Sequence, residues 1–123
     1  MRRGFSSKII SIPRLRETPD QIQKTFFSRD EWRQAYEKPY PYEVLASRLA
    51  AKWCLGAAGQ AAGWPPLRFD AIEVTHTPAG APLFSFLDPN LRRFMKLNVR
   101  AHHLTLSHTQ AWGAASWRSS PTS

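Results

Sequence analysis

A chain of 123 residues suits one domain and leaves little room for a second. Lys and Arg number 17 against 9 Asp and Glu, a formal net charge of +8 and a pI near 10.4, so the expected partner is anionic. A hydrophobic fraction of 42%, with five Trp, seven Phe and three Tyr, excludes a disordered basic tail; the one cysteine, Cys54, excludes a disulfide framework and a multi-thiolate zinc site. A reducing, cytoplasmic setting fits that cysteine usage. The charge-free stretch from Trp53 to Leu67 contains Gly56, Gly59, Gly63 and Pro65-Pro66, which exclude a membrane-spanning helix there. Ile9-Ile10-Ser11-Ile12, behind a basic Arg2-Arg3, is too short an apolar run for a signal peptide. All acids lie between Glu17 and Asp88, so two basic ends flank a mixed middle, a pattern suited to a phosphate-rich ligand, a nucleic acid or an acidic protein surface.

In chain order, the Ile-rich Lys8 to Ile12 predicts a short strand stopped by Pro13. Ser28 with Glu31 has the form of a capping box and predicts a helix from Arg29 to about Glu37, broken by Pro39 and Pro41. Val44, Leu45, Leu49, Trp53 and Ala57 recur at helical spacing and predict a helix from Glu43 to about Ala58. Arg48 and Lys52 lie one turn apart on it, either as a solvated pair or as a phosphate clamp. Leu67 to His76 and Pro82 to Leu87 predict a hairpin, and Asp88-Pro89 caps a helix to about Leu97. Two further strands are expected at His103 to Leu106 and Ala111 to Trp117, around a turn at Ser107-His108-Thr109. The expected class is α+β, one domain over residues 1–118 with a polar tail at 119–123.

Arg48-Leu-Ala-Ala-Lys52 resembles the R-F-A-A-K-E-A helix of the holo-acyl-carrier-protein synthases, the small 4′-phosphopantetheinyl transferases. Other blocks follow in the same order. Ile9-Ile-Ser-Ile-Pro-Arg-Leu15 resembles the end of the D-I-V-E-I-x-R-L strand, and Phe26-Phe27-Ser28 with Glu31 the F-T-x-x-E helix start. Ile72-Glu-Val with Ala79-Gly-Ala-Pro82 resembles the I-E-V and G-x-P hairpin, and His103-Leu-Thr-Leu-Ser-His-Thr109 the H-V-S-L-S-H-T segment. The resemblance spans nearly the whole chain. It implies a small α+β domain of antiparallel strands with a long helix, a homotrimer with sites at subunit interfaces, coenzyme A as the donor of a phosphopantetheine arm, and an acyl carrier protein of fatty-acid or polyketide biosynthesis as partner.

The same resemblance implies magnesium held by the Asp of D-I-V-E-I and the Glu of K-E-A. Those positions are Lys8 and Trp53 here, so magnesium is not expected. The second acid of the opening strand is Ser11, the lysine one turn beyond the metal-binding Glu is Ala57, and the loop glycines after the helix align with Gln60 and Ala62. Trp53 and Ala57 therefore mark a remodelled site. Arg48, Lys52 and His108 match positions near the coenzyme A phosphates, Arg14 matches the basic residue that receives the carrier protein, and Arg16 extends that basic face. Lys8 and His108 are the catalytic candidates, as a fixed cation and as a general base. Adjacent His102 and His103 point to opposite faces of a strand, against a three-histidine zinc site. Cys54 reads as a buried inert thiol and Glu73 as structural.

The resulting expectation is a divergent carrier-protein-binding member that has lost magnesium-dependent transfer or replaced it by action on a carrier-bound acyl chain. The alternatives are an active transferase in which Lys8 replaces the metal's charge, and a basic nucleic-acid-binding module, for which no motif is present.

Overall fold

A computed structural model describes residues 4–121. The chain runs β1 (Gly4–Ser11), α1 (Ile12–Glu17), α2 (Asp20–Gln23), α3 (Arg29–Tyr36), α4 (Pro41–Ala61), a 3-10 turn (Phe69–Ala71), β2 (Ile72–His76), β3 (Pro82–Phe86), α5 (Pro89–Asn98), β4 (Val99–His108) and β5 (Trp112–Pro121). β1, β5 and β4 form an antiparallel sheet in that order, and β2 pairs with β3 as a separate antiparallel hairpin. The α+β class is as expected.

The long helix α4 organises both halves of the core. Pro41 stands in its first turn, where a missing N–H costs nothing. Its end is a Schellman motif: Trp64 N–H donates to Gly59 O at 2.8 Å and Gly63 N–H to Gln60 O at 3.2 Å, with Gly63 at φ +77°. One side of α4 packs Ala50, Ala51, Cys54 and Leu55 against Ile72, Val74, Leu104, Ala115 and Trp117. Its N-terminal half packs Leu45, Ala46 and Leu49 against Ile12, Leu15 and Phe27. Each fully buried leucine contributes about 1.5–3 kcal/mol through apolar area removed from water. Gly113 lets β5 approach closely, because a Cβ there would lie 2.6 Å from Ala46 Cβ and against the backbone of Ser47. β1 adds a second tie, since Ser6 Oγ donates to Cys54 O at 2.6 Å.

Several expectations shift. β1 starts at Gly4 rather than Lys8 and stops at Ser11, because Ser11 caps a helix that the sequence reading missed and Pro13 stands in its first turn. Leu67 to Ala71 is not strand; the chain makes a 3-10 turn before β2. Ser107 and His108 belong to β4, so the turn falls at Thr109, whose hydroxyl accepts from the N–H groups of Ala111 and Trp112. β5 runs to Pro121, past the expected domain end at Arg118, because its last residues pair with β1 and β4. The capping box at Ser28, the hairpin and the Asp88 cap are all present. No helix among the described residues is long and apolar enough to cross a membrane.

Candidate functional site

Lys8 on β1 and Trp53 on α4 meet. The ammonium lies 5.4 Å from the centre of the indole, which makes a T-shaped contact with Phe69 at 5.7 Å between ring centres. Lys8 is exposed and Trp53 is 45% exposed, so the contact is a surface cation–π pair beside the buried Cys54. Burial raises the Cys54 thiol pKa, with Ser6 and Lys8 acting against that rise, which agrees with an inert thiol. An ammonium and an indole offer no oxygen to a hard divalent cation, and the ammonium repels one. Among the described residues no cluster of three or more His, Cys, Asp or Glu could hold a metal. The residues at these two positions do not fit magnesium. Ala57, one turn beyond Trp53, is exposed and lines none of the three cavities described below.

Lys8 also lines a groove of about 460 Å³ together with Ser11, Arg14, Leu49 and Trp112. Its walls mix apolar residues with Ser11 and Thr18, and its cations, Lys8 and Arg14, come from β1 and α1. Arg16 does not join them; its guanidinium stacks over Tyr42 at 5.3 Å. The turn of α1 thus divides the two arginines that sequence placed on one docking face.

Arg48 and His108 converge in a second pocket, of about 620 Å³, with Lys38 and His76. Arg48 is nearly enclosed and donates from Nη1 to Gln34 Oε1 at 3.1 Å; burial lowers its pKa while Glu31 and Glu73 oppose that, and a guanidinium stays charged. His108 Nδ1 lies 3.1 Å from Glu43 Oε2, and its ring packs against Tyr40 at 5.5 Å. His108 is thus oriented by a carboxylate, an arrangement open to a general base or a phosphate contact. Lys8 is not in this pocket, so the two catalytic candidates line different cavities. A third cavity, of about 350 Å³ beside Pro66 and Phe94, contains none of the candidate residues.

Lys52 corrects an expectation. It is fully buried, and its three N–H donors go to Phe26 O at 2.7 Å, to Phe69 O at 2.8 Å and to the Glu31 carboxylate. No donor is left for a phosphate, so Lys52 neither clamps a ligand with Arg48 nor lies on a solvated face. Burial lowers its pKa, and Glu31 is the main opposing influence. Glu31 also accepts from the N–H groups of Ser28 and Val74, and Ser28 Oγ donates to Glu73 at 2.5 Å. The capping carboxylate of α3 is therefore the counter-ion of α4 and a ladder partner of β2. Sequence reasoning found the cap and missed the rest, because nothing in the spacing links residues 31, 52 and 74. His76 and Lys38 were missed for the same reason. The side chains of His102 and His103 lie outside the described residues.

No family model matches the chain. It is 29% identical over 116 residues to a holo-acyl-carrier-protein synthase of Erwinia tasmaniensis, covering 91% of this chain and 92% of the relative. It is 25% identical over 116 residues to that of Blochmanniella pennsylvanica, at 91% and 93% coverage. Its fold is that of an ACPS–CoA complex from Chronobacterium ammoniagenes, with a TM-score of 0.80, 22% identity and full coverage of both chains. The holo-acyl-carrier-protein synthase of Neisseria meningitidis superposes with a TM-score of 0.77 at 21% identity, over 95% of this chain and 97% of that one.

Proposed function

We propose that the chain is a divergent member of the holo-acyl-carrier-protein synthase family, to which its sequence and its fold are similar, and that it binds an acyl carrier protein without magnesium-dependent phosphopantetheinyl transfer. The observation that carries this reading is the Lys8–Trp53 contact: a cation and an apolar ring touch where the family resemblance implies two metal-binding carboxylates. The rest of the binding apparatus is chemically suited to its ligands. Lys38, Arg48, His76 and His108 line one pocket fit for the phosphates of coenzyme A. Arg14 and Lys8, in a groove walled by Ile9, Leu49 and Trp112, suit an acidic carrier protein delivering an acyl or pantetheine arm. Action on such an acyl chain, a homotrimer and a cytoplasmic location belong to the same reading, within fatty-acid or polyketide biosynthesis.

The chain's own residues set what each step can be. Arg48 and His108 hold phosphate charge, Glu43 fixes the His108 ring, and Lys8 supplies a single positive charge over the Trp53 ring. The second reading keeps transfer and uses that charge in place of the ion; the exposure of the Lys8 ammonium favours it. Purified protein is incubated with coenzyme A and apo carrier protein, with magnesium or with chelator, and the carrier is read by intact mass. The first reading expects no phosphopantetheinyl addition but measurable carrier binding. Efficient magnesium-dependent conversion overturns it, whereas chelator-insensitive conversion lost in Lys8→Ala establishes the second.

A further inference from the structure

The 620 Å³ pocket contains one basic residue that no motif singled out. His76 ends β2 at the hairpin, and the fold sets it opposite cations from two other directions: Lys38 from the turn after α3 and Arg48 from α4. β4 adds His108, which is engaged by Glu43, and the C-cap of α3 adds Glu37 on the rim. Thus Arg48 and Lys38 face His76 with positive charge, His108 with an imidazole already held by a carboxylate, and Glu37 with the one acid lining the pocket.

We propose that His76 is a specificity residue of this pocket, contacting a ligand's phosphate group by taking up a proton as the doubly charged anion enters. This rests on the reading of the pocket as a phosphate site and adds its proton coupling. The neighbourhood supports it. His76 is exposed at the mouth of the pocket beside Arg48 and Lys38; desolvation there, then Arg48, then Lys38 hold the imidazole pKa below its ordinary value, so in the empty pocket the ring favours its neutral form. A dianion reverses the sign of the local field: it neutralises the two cations and attracts a third. Protonated, the ring donates from both nitrogens. A monoanion or a neutral ligand gains less, so the pocket discriminates in favour of a terminal phosphate over a diester.

The test is a histidine NMR titration of the full chain from pH 5 to 8, with sodium sulfate or coenzyme A as ligand and His76→Gln and His108→Gln for assignment. Sulfate keeps both charges throughout and exchanges no protons, so any shift belongs to the protein. The His76 midpoint is expected to rise by about one pH unit on saturation, equivalent to roughly tenfold tighter binding of the dianion to the protonated ring. His76→Gln is expected to lose that tenfold at the acid end while keeping wild-type affinity at pH 8. An unmoved His76 midpoint with ligand-perturbed Arg48 or His108 resonances overturns this proposal and leaves the pocket reading standing. No perturbation of any pocket resonance overturns both.

Discussion

The Lys8 ammonium lies 5.4 Å from the centre of the Trp53 ring, joining the edge strand β1 to the long helix α4. The contact is exposed, and pairs of this kind contribute about 0.5–1 kcal/mol. Its consequence is chemical more than energetic, because a cation on an aromatic face stands where the family resemblance implies two carboxylates. The double substitution Lys8→Asp, Trp53→Glu is expected to confer manganese binding that the wild-type protein lacks, read by calorimetric titration in the presence of coenzyme A. A double variant that takes up no more ion than wild type would remove the argument that these two side chains exclude it.

Lys52→Met leaves the enclosed Glu31 carboxylate without its counter-ion, and such a loss costs about 3–5 kcal/mol. Urea denaturation measures it. The folded fraction should keep wild-type affinity for coenzyme A, since no Lys52 donor faces a pocket. A selective loss of affinity with stability intact would restore Lys52 to the ligand site.

Gly113→Ala forces a methyl group into the backbone of α4 at Ala46 and Ser47. Neither side can yield without shifting the helix off the sheet, so a loss of about 1–3 kcal/mol or more is expected in the same urea measurement. A neutral result would mean that the helix and β5 are farther apart than described.

His76 titrates at a lower pH in the folded chain than in the unfolded one, chiefly through desolvation and then through Arg48 and Lys38. In the window below the ordinary histidine value the unfolded state therefore binds more protons, and stability rises with pH across it. His76→Gln should flatten that rise between about pH 5 and 7 in chemical denaturation curves. Equal slopes in wild type and variant would contradict it.

Arg14→Glu places an acid in the groove shared with Lys8. Association with an acidic carrier protein is expected to slow several-fold and to lose much of its salt dependence, with dissociation little changed. Arg16→Ala should matter less, because its guanidinium is stacked on Tyr42. Surface plasmon resonance at two salt concentrations separates the two arginines; equal effects would return both to one docking face.

Local structure was legible where one residue's chemistry decides it. The Ser28 hydroxyl with Glu31, Asp88 before Pro89, and the helical recurrence of Leu45 and Leu49 all specified elements that are present. The α1 helix is not legible, although Ser11-Ile12-Pro13 carries a cap and a proline in the first helical turn, because six residues leave too short a span for helical periodicity to show behind the apolar Ile9-Ile10. β5 was cut short because Ser119, Ser120 and Pro121 look like tail, and only pairing to β1 and β4 makes them strand.

The candidate site divides along the same line. By itself the sequence determined the motif order, the presence of Lys8 and Trp53 where the family resemblance implies carboxylates, and the excess of positive charge, because each of these is a matter of residue identity in order along the chain. Tertiary structure alone decided which charges are free to act. Arg48 and Lys52 are one helical turn apart and chemically alike, yet one lines a cavity and the other is locked to Glu31. Their fates differ because burial and counter-ions are set by what packs against α4 from α3, β2 and the strands of the sheet, and helical spacing holds no information about those neighbours.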